Sequence, residues 1–439
     1  MYFSVEHLEL DQLRKLQSER LKNLVAYLDE RSEFYKRKFS ESGLFPQDIK
    51  SIEDISKLPI TYKQDLRDSY PFGLFTVPKS QLQRIHCSSG TTGKPTVVGY
   101  TKEDVELFSE VVARSLNAAG ARRGMQLHNA YGYGIFTGGL GLHYGAEKLG
   151  MSVLPISGGM TVRQVDLIID FKPEVICCSP SYALTIADEL ANRGISAEDI
   201  SLKYAVLGSE PWTEIIRGHI EKRLGLHATN IYGLSEIIGP GVSMEDWEEK
   251  GGSYIWEDHF YPEILDPVTK LPVPYGEEGV LVITTLTKKA MPLLRYWTND
   301  ITSLYYDTSA KRTMVKMKPI VGRADDMLIV RGVNVYPSQI EDAFSGIKGV
   351  VPNYYLTPIE KEHMCVALEV DVEINDELIR AQQFEINSND YTNFIHNFAE
   401  SVEGEIKRRV GITTKVKIHA QDSLPKCEGG KINRILKRK

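Results

Sequence analysis

Five times between residues 102 and 232 the chain repeats one order: a helical stretch, a short apolar run, then a cluster of small or polar residues. The helical stretches lie near 102–119, 138–149, 161–170, 181–193 and 213–225, and the apolar runs are 126–129, 152–155, 174–178, 204–207 and 228–231. Strands that alternate with helices of this length make βα units, and such units pair in parallel. The clusters that follow the five runs are Ala130-Tyr131-Gly132-Tyr133-Gly134, Ser157-Gly158-Gly159, Ser179-Pro180-Ser181, Gly208-Ser209-Glu210-Pro211-Trp212 and Tyr232-Gly233-Leu234-Ser235-Glu236. Open α/β sheets take ligands at the carboxyl ends of their strands, where glycine lets backbone approach a substrate. One such cluster reads as an ordinary turn. Five on the same edge mark a ligand crevice.

The flanks read differently. Leu13, Leu16, Leu24 and Leu28 recur at helical spacings among charges, so residues 1–40 predict a helix. From about 254 to 330 the chain is β-rich, as in Gly279-Val280-Leu281-Val282-Ile283-Thr284-Thr285. The last stretch predicts a helix opened by Pro337, strands at 353–358 and 364–370, a helix over 391–410 and a strand over 414–419. At 439 residues the chain is too long for one core. The expected fold class is α/β. A large N-terminal domain over 1–322 holds parallel βα units and a β-rich subdomain, and a small mobile α+β domain covers 323–439.

A net charge of −7 argues against nucleic acid or an anionic membrane as partner. No apolar run approaches the ~20 residues that span a bilayer, and residues 1–7 lack the basic start and apolar run of a signal peptide. The cysteines at 87, 177, 178, 365 and 427 form no CxxC pair. They predict reduced thiols, a cytoplasmic protein and no zinc.

The sharpest motif is Ser88-Ser89-Gly90-Thr91-Thr92-Gly93-Lys94-Pro95. Small residues free backbone N–H groups to surround phosphate oxygens, hydroxyls add donors, and Lys94 adds charge. A Walker A loop would need Gly at 88 and Ser or Thr at 95, where Ser and Pro stand. The flanks 84–87 and 96–100 both read as strands, so the motif is a strand-loop-strand phosphate clamp. Dinucleotide binding at Gly132-x-Gly134 fails as well, because Thr137 occupies the third glycine position. No other His or Cys lies within twenty residues of His259, which favours a hydrogen-bonding role there over a metal.

Ser88–Pro95, Tyr232-Gly233-Leu234-Ser235-Glu236, Arg295-Tyr296-Trp297-Thr298-Asn299-Asp300, Gly322-Arg323-Ala324-Asp325-Asp326 and the late Lys431 occur in one order. In that order they resemble the adenylate-forming superfamily, which includes acyl-CoA synthetases, peptide-synthetase adenylation domains and luciferases. Residues 131–141, 256–263 and 323–339 are more closely similar still to the phenylacetate–CoA ligase family.

The resemblance implies an AMP-forming acid–thiol ligase acting on phenylacetate or a close aryl acid. A carboxylate is a poor acyl donor because its leaving group would be oxide. Joining it to the α-phosphorus of ATP makes a mixed anhydride, which the CoA thiol then attacks. ATP, Mg²⁺ and CoA are the implied ligands, and a homodimer the implied assembly. By resemblance Glu236 holds Mg²⁺, a hard cation suited to oxygen. Lys431 bridges the carboxylate and α-phosphate, with Lys426 as the neighbouring alternative. Ser88, Ser89, Gly90, Thr91, Thr92, Gly93 and Lys94 hold the phosphates. Gly208, Ser209, Glu210, Tyr232, Gly233 and Ser235 line the adenine and ribose, and Arg323 lies near the ribose or phosphates. Asp300 accepts from both ribose hydroxyls, as an acceptor-only carboxylate suits a vicinal diol. Tyr131, Phe136, Gly208, Ile237 and Pro240 form a flat apolar slot for a ring. Asp325 is the implied hinge between two half-reactions. Lys63 reads either as a contact to a CoA phosphate or as a surface lysine. Three alternatives stay open: another aromatic acid of the benzoate or anthranilate type, transfer to a carrier-protein thiol, and a nucleotide-binding regulatory module without turnover.

Overall fold

The computed structural model describes residues 4–87, 95–324, 328–330, 333–344, 347–361, 364–382, 388–425 and 434–436. The chain forms two compact units, Met1–Glu210 with Arg217–Pro319, and Pro211–Ile216 with Ile320–Lys439.

The first unit opens with two helices where one was predicted, α1 (Leu10–Arg31) and α2 (Glu33–Glu41). The break is at Ser32, whose extended backbone stops α1 and whose hydroxyl accepts the Tyr35 N–H to cap α2. A short α3 (Lys63–Asp68) follows, then the antiparallel pair β1 (Arg84–Cys87) and β2 (Val97–Tyr100). Next come α4 (Lys102–Ala118), β3 (Gln126–Asn129), α5 (Gly138–Leu149), β4 (Ser152–Leu154), α6 (Thr161–Phe171) and β5 (Val175–Cys178). The alternation ends with α7 (Pro180–Asn192), β6 (Tyr204–Gly208), α8 (Glu214–Leu224) and β7 (His227–Leu234).

Strands β4-β3-β5-β6-β7 lie side by side and parallel. The order turns at β3, whose next strand in sequence lies on one side while β5, β6 and β7 run off on the other. Right-handed crossovers therefore put α5 on one face of the sheet and α6 to α8 on the other. The packing agrees: α4 lies along α5, and α6 along α7. Both faces are covered, and β5 is accordingly buried at every residue.

Beyond β7 the sheet turns antiparallel through β8 (Gly239–Glu245) and β9 (Ser253–Ile255). Three further antiparallel strands are β10 (Phe260–Leu265), β11 (Gly279–Thr285) and β12 (Tyr296–Thr302). The strands β13 (Leu304–Tyr305) and β14 (Lys316–Met317) complete the nine-stranded sheet beyond β9. Strand β7 runs three residues past the predicted run, because Tyr232, Gly233 and Leu234 pair with Ser243, Pro240 and Gly239.

The second unit contains β15 (Gly322–Arg323), β16 (Leu328–Val330), β17 (Val333–Val335), α9 (Pro337–Phe344), β18 (Val350–Lys361) and β19 (Met364–Ile374). It ends with α10 (Asp376–Ala381), α11 (Asn389–Val410) and β20 (Thr414–Ala420). Strand β19 is central, antiparallel to β18 and parallel to β16 and β20. Phe398, Val402 and Ile406 recur every fourth residue on α11 and pack into one core with Ile340, Tyr354, Leu368 and Val370. Burying each Val, Leu, Ile or Phe side chain among them stabilises the unit by about 1.5–3 kcal/mol.

Candidate active site

The carboxyl edge of the parallel strands in the first unit gathers most of the predicted residues that the structure describes. Tyr232 and Gly233 stand near the end of β7. A Cβ on Gly233 would lie 1.9 Å from the Gly239 carbonyl oxygen, so only glycine allows β8 to fold back this tightly. The Tyr232 hydroxyl donates to Asp300 Oδ2 at 2.6 Å. Asp300 is buried on β12, and its own N–H donates to Thr298 Oγ1 at 3.0 Å, which helps fix the carboxylate. An O–H to a carboxylate is among the stronger hydrogen bonds, so ring and carboxylate are held as one piece.

The turn from β7 to β8 is held from behind. Ser235 shares a hydroxyl–hydroxyl hydrogen bond of 3.2 Å with Thr137, and the Tyr100 hydroxyl donates to the Ile238 carbonyl at 2.8 Å. The Lys288 ammonium donates to the Glu236 carbonyl oxygen at 3.1 Å from a fully buried position. Burial pushes this ammonium down to about 8, against the pull of Asp104 and Glu236. Asp104 also accepts the N–H groups of Lys289 and Ala290 at 2.6 and 2.8 Å, tying the segment after β11 to the first turn of α4.

With its backbone fixed this way, Glu236 exposes only 8% of its side chain. Its carboxylate has the Lys63 ammonium at 3.8 Å, beyond hydrogen-bond distance. A carboxylate so placed can offer oxygen to a hard cation that keeps some waters and takes the remaining ligands from phosphates.

At the end of β6, Gly208 faces Ile231, whose carbonyl oxygen would lie 2.3 Å from an added Cβ. Ser209 turns the chain with a left-handed backbone (φ 71°). Glu210 Oε1 then accepts the Ser181 N–H at 2.6 Å, a favourable place for a carboxylate at the start of α7. Tyr131 reaches over from the end of β3 to the Gly208 backbone, where burial pushes its hydroxyl well above the usual tyrosine range. Of the other residues expected around a ring, Pro240 is half-buried, Ile237 has no exposed surface, and Phe136 is 47% exposed.

Arg323 lies half-buried on β15 in the second unit. Ser88 to Lys94, Asp325, Lys426 and Lys431 lie outside the described residues. The sequence did not point to Lys288, Asp104 or Thr137. Two lysines after a strand read as surface, and the aspartate reads as a helix cap. His259 makes a 2.8 Å hydrogen bond to Thr287 and lies beside Asp258, Arg114 and Arg20. Among the described residues no helix is long and apolar enough to cross a membrane, and no three His, Cys, Asp or Glu side chains could together hold a metal ion.

Tyr232 and Glu236 follow a parallel strand of a switch-point α/β sheet, at the edge where such sheets take ligands, and Asp300 meets Tyr232 there from β12. Residues 17–287 match the family described as AMP-binding enzyme, and residues 332–439 match the AMP-binding enzyme C-terminal domain. The chain is 56% identical over 436 residues to a phenylacetate-coenzyme A ligase of Thermus thermophilus, covering 98% of each chain. It is 47% identical to the phenylacetate-coenzyme A ligase of Escherichia coli, covering 97% of this chain and 95% of the relative. Among solved structures it is similar to 2-hydroxyisobutyryl-CoA ligase in complex with an acyl-AMP, with 26% identity, a TM-score of 0.90, and coverage of 99% and 91%. The chain belongs to the AMP-binding enzyme family, on its phenylacetate–CoA ligase branch.

Proposed function

We propose that this protein is an AMP-forming acid–thiol ligase that converts phenylacetate, or a close aryl acid, to its CoA thioester through an acyl-adenylate. The observation that carries the reading is the Tyr232–Asp300 pair, which joins the tip of β7, four residues before Glu236, to β12. The ring offers a face to adenine, and Asp300 offers acceptor oxygens to a ribose diol. The named relatives on the phenylacetate–CoA ligase branch support the choice of acid.

In this reading Glu236 holds the Mg²⁺, which when bound offsets negative charge on the phosphates. Its lone carboxylate fits an ion that keeps water and phosphate oxygens as ligands. Tyr131 and Gly208, adjacent in the structure, form the floor of the aryl slot and Phe136 and Pro240 its walls, with Ile237 packed behind them. Gly208, Ser209, Glu210, Gly233 and Ser235 border the nucleotide, with Arg323 serving the ribose or phosphates. Ser88 to Lys94 hold the triphosphate. Lys431 carries the adenylation charge on a small domain that turns at Asp325. A homodimer in the cytoplasm completes the reading, and the buried free thiols Cys87, Cys177 and Cys178 are consistent with a reducing compartment.

Pyrophosphate release with a panel of aryl acids tests it. Phenylacetate and ring-substituted phenylacetates are expected to lead. Faster turnover of benzoates or anthranilates would move the substrate class. Undiminished ATP binding without pyrophosphate from any acid would make the protein a regulatory module.

A further inference from the structure

Two lysines approach Glu236, and they differ. Lys288 is fully buried and grips the Glu236 carbonyl at 3.1 Å, so it belongs to the frame of the turn. Lys63 faces the Glu236 carboxylate at 3.8 Å and keeps 36% of its side chain exposed. A pair this long and this wet contributes little to folding. The backbone that carries Lys63 is nonetheless firmly held. Thr61 forms a bridge to β12, with Thr61 N–H to the Arg295 carbonyl at 3.1 Å and Trp297 N–H to the Thr61 carbonyl at 2.9 Å. The Thr61 hydroxyl donates to the Leu294 carbonyl at 2.7 Å. Asp65 accepts the Tyr62 N–H at 2.8 Å and pairs with Lys38 at 2.9 Å. A rigid mount thus presents one long, cationic side chain toward the carboxylate of the candidate site.

We infer that Lys63 is a triphosphate contact. In the free protein its ammonium neutralises Glu236. When ATP enters, the ammonium shifts to the β- and γ-phosphoryl oxygens and uncovers the Glu236 carboxylate. A lysine suits this exchange because its point charge sits on a flexible stem and needs no fixed donor geometry. The inference rests on the ligase reading for its reaction, and it replaces a CoA phosphate with the nucleotide's own as the partner of Lys63.

The test uses the full chain with Lys63→Ala and Lys63→Arg. Calorimetry in EDTA compares ATP with AMP, which lacks the β- and γ-phosphates. Lys63→Ala should weaken ATP on the order of tenfold and leave AMP unchanged, as expected for one charge-assisted contact. Lys63→Arg should recover most of the loss. Single-turnover adenylate formation should slow in Lys63→Ala, while thioester formation from supplied aryl-adenylate and CoA keeps its rate. Equal ATP affinity in Lys63→Ala and the parent would overturn the inference. So would a defect confined to the CoA step. The parent protein reports separately on the ligase reading: if it binds ATP yet releases no pyrophosphate with any acid, that reading fails, and the ATP–AMP comparison still decides the role of Lys63.

Discussion

The parallel and antiparallel parts of the first unit treat charge in opposite ways. Around β8, β10 and β12, buried arginines are locked to carboxylates. Arg217 pairs with Glu245 at 2.8 Å, Arg295 with Glu263 at 2.8 Å, Arg114 with Asp258 at 2.9 Å, and Arg312 with both Glu6 and Asp246 at 2.6 Å. Beside the parallel strand tips the pattern differs: Glu236 has a distant lysine at 3.8 Å, and Asp300, reaching in from β12, accepts from the Tyr232 hydroxyl. Arg217, Arg295 and Arg114 grip their carboxylates with two nitrogens each, which makes those carboxylates architecture. A wet ammonium at 3.8 Å does not saturate the Glu236 carboxylate. The difference separates charges that hold the fold from charges poised for chemistry.

The largest expected effect falls on the architectural side. Arg295 also donates to the carbonyls of Ser56 and Leu58 at 3.1 and 2.9 Å, so Arg295→Ala orphans Glu263 and two backbone groups. It should destabilise the unit by about 3–5 kcal/mol in denaturant unfolding, as removing one partner of a buried pair does. A melting curve unmoved by this change would erase the contrast.

On the chemical side, Glu236→Gln should lower kcat/KM for pyrophosphate release by roughly 10²–10³-fold, or about 2.7–4 kcal/mol. The fold should be indifferent to it, because Lys288 binds the Glu236 backbone carbonyl, which remains. A drop in stability as large as that of Arg295→Ala would return Glu236 to architecture.

His259 gives the comparison a pH axis. Burial pushes its imidazole down to about 4, with Asp258 pulling it up and Arg114 and Arg20 pushing it further down. The unfolded chain titrates near 6.5, so between about 6.5 and 4 it binds a proton that the folded chain refuses. The stabilisation from a neutral His259 is therefore complete above about 6.5 and lost as the pH falls toward 4. It amounts to about 3 kcal/mol. Unfolding free energies from pH 7 to 4 should fall more steeply in the parent than in His259→Asn. Parallel curves would show that the imidazole stays solvated.

Sequence reasoning reached these two regions unequally, for a physical reason. Helix and strand periods are local, so α5 and β3 could be read residue by residue, and β5 nearly so. Glycines that follow strands are local too, which made the ligand edge legible. The antiparallel extension was harder. The Gly239-Pro240-Gly241 start of β8 has poor strand propensity, and its pairing with β7 sets its conformation. The architectural ion pairs join residues as far apart as Glu6 and Arg312, and no local pattern reveals such a partner. Ser32 shows the same limit at short range. Extended backbone there stops one helix and the hydroxyl starts another, where residues 1–40 read as one.

The smallest effect is the sharpest probe of the chemical side. Tyr232→Phe keeps the ring and removes one hydroxyl. If the ring's role is to face adenine, that contact survives, and the change falls on Asp300, which loses the donor at 2.6 Å. Asp300 keeps its charge and remains held through Thr298, so it should still accept from a ribose diol, though less well oriented. The expected result is a rise in KM for ATP of about fivefold, near 1 kcal/mol, with kcat for pyrophosphate release and the melting temperature almost unchanged. An equal loss on Tyr232→Leu, where the ring is gone as well, would mean that the hydroxyl alone matters and that adenine does not stack there. A large loss of stability in Tyr232→Phe would place the Tyr232–Asp300 pair with the arginine pairs, among the charges that build the fold.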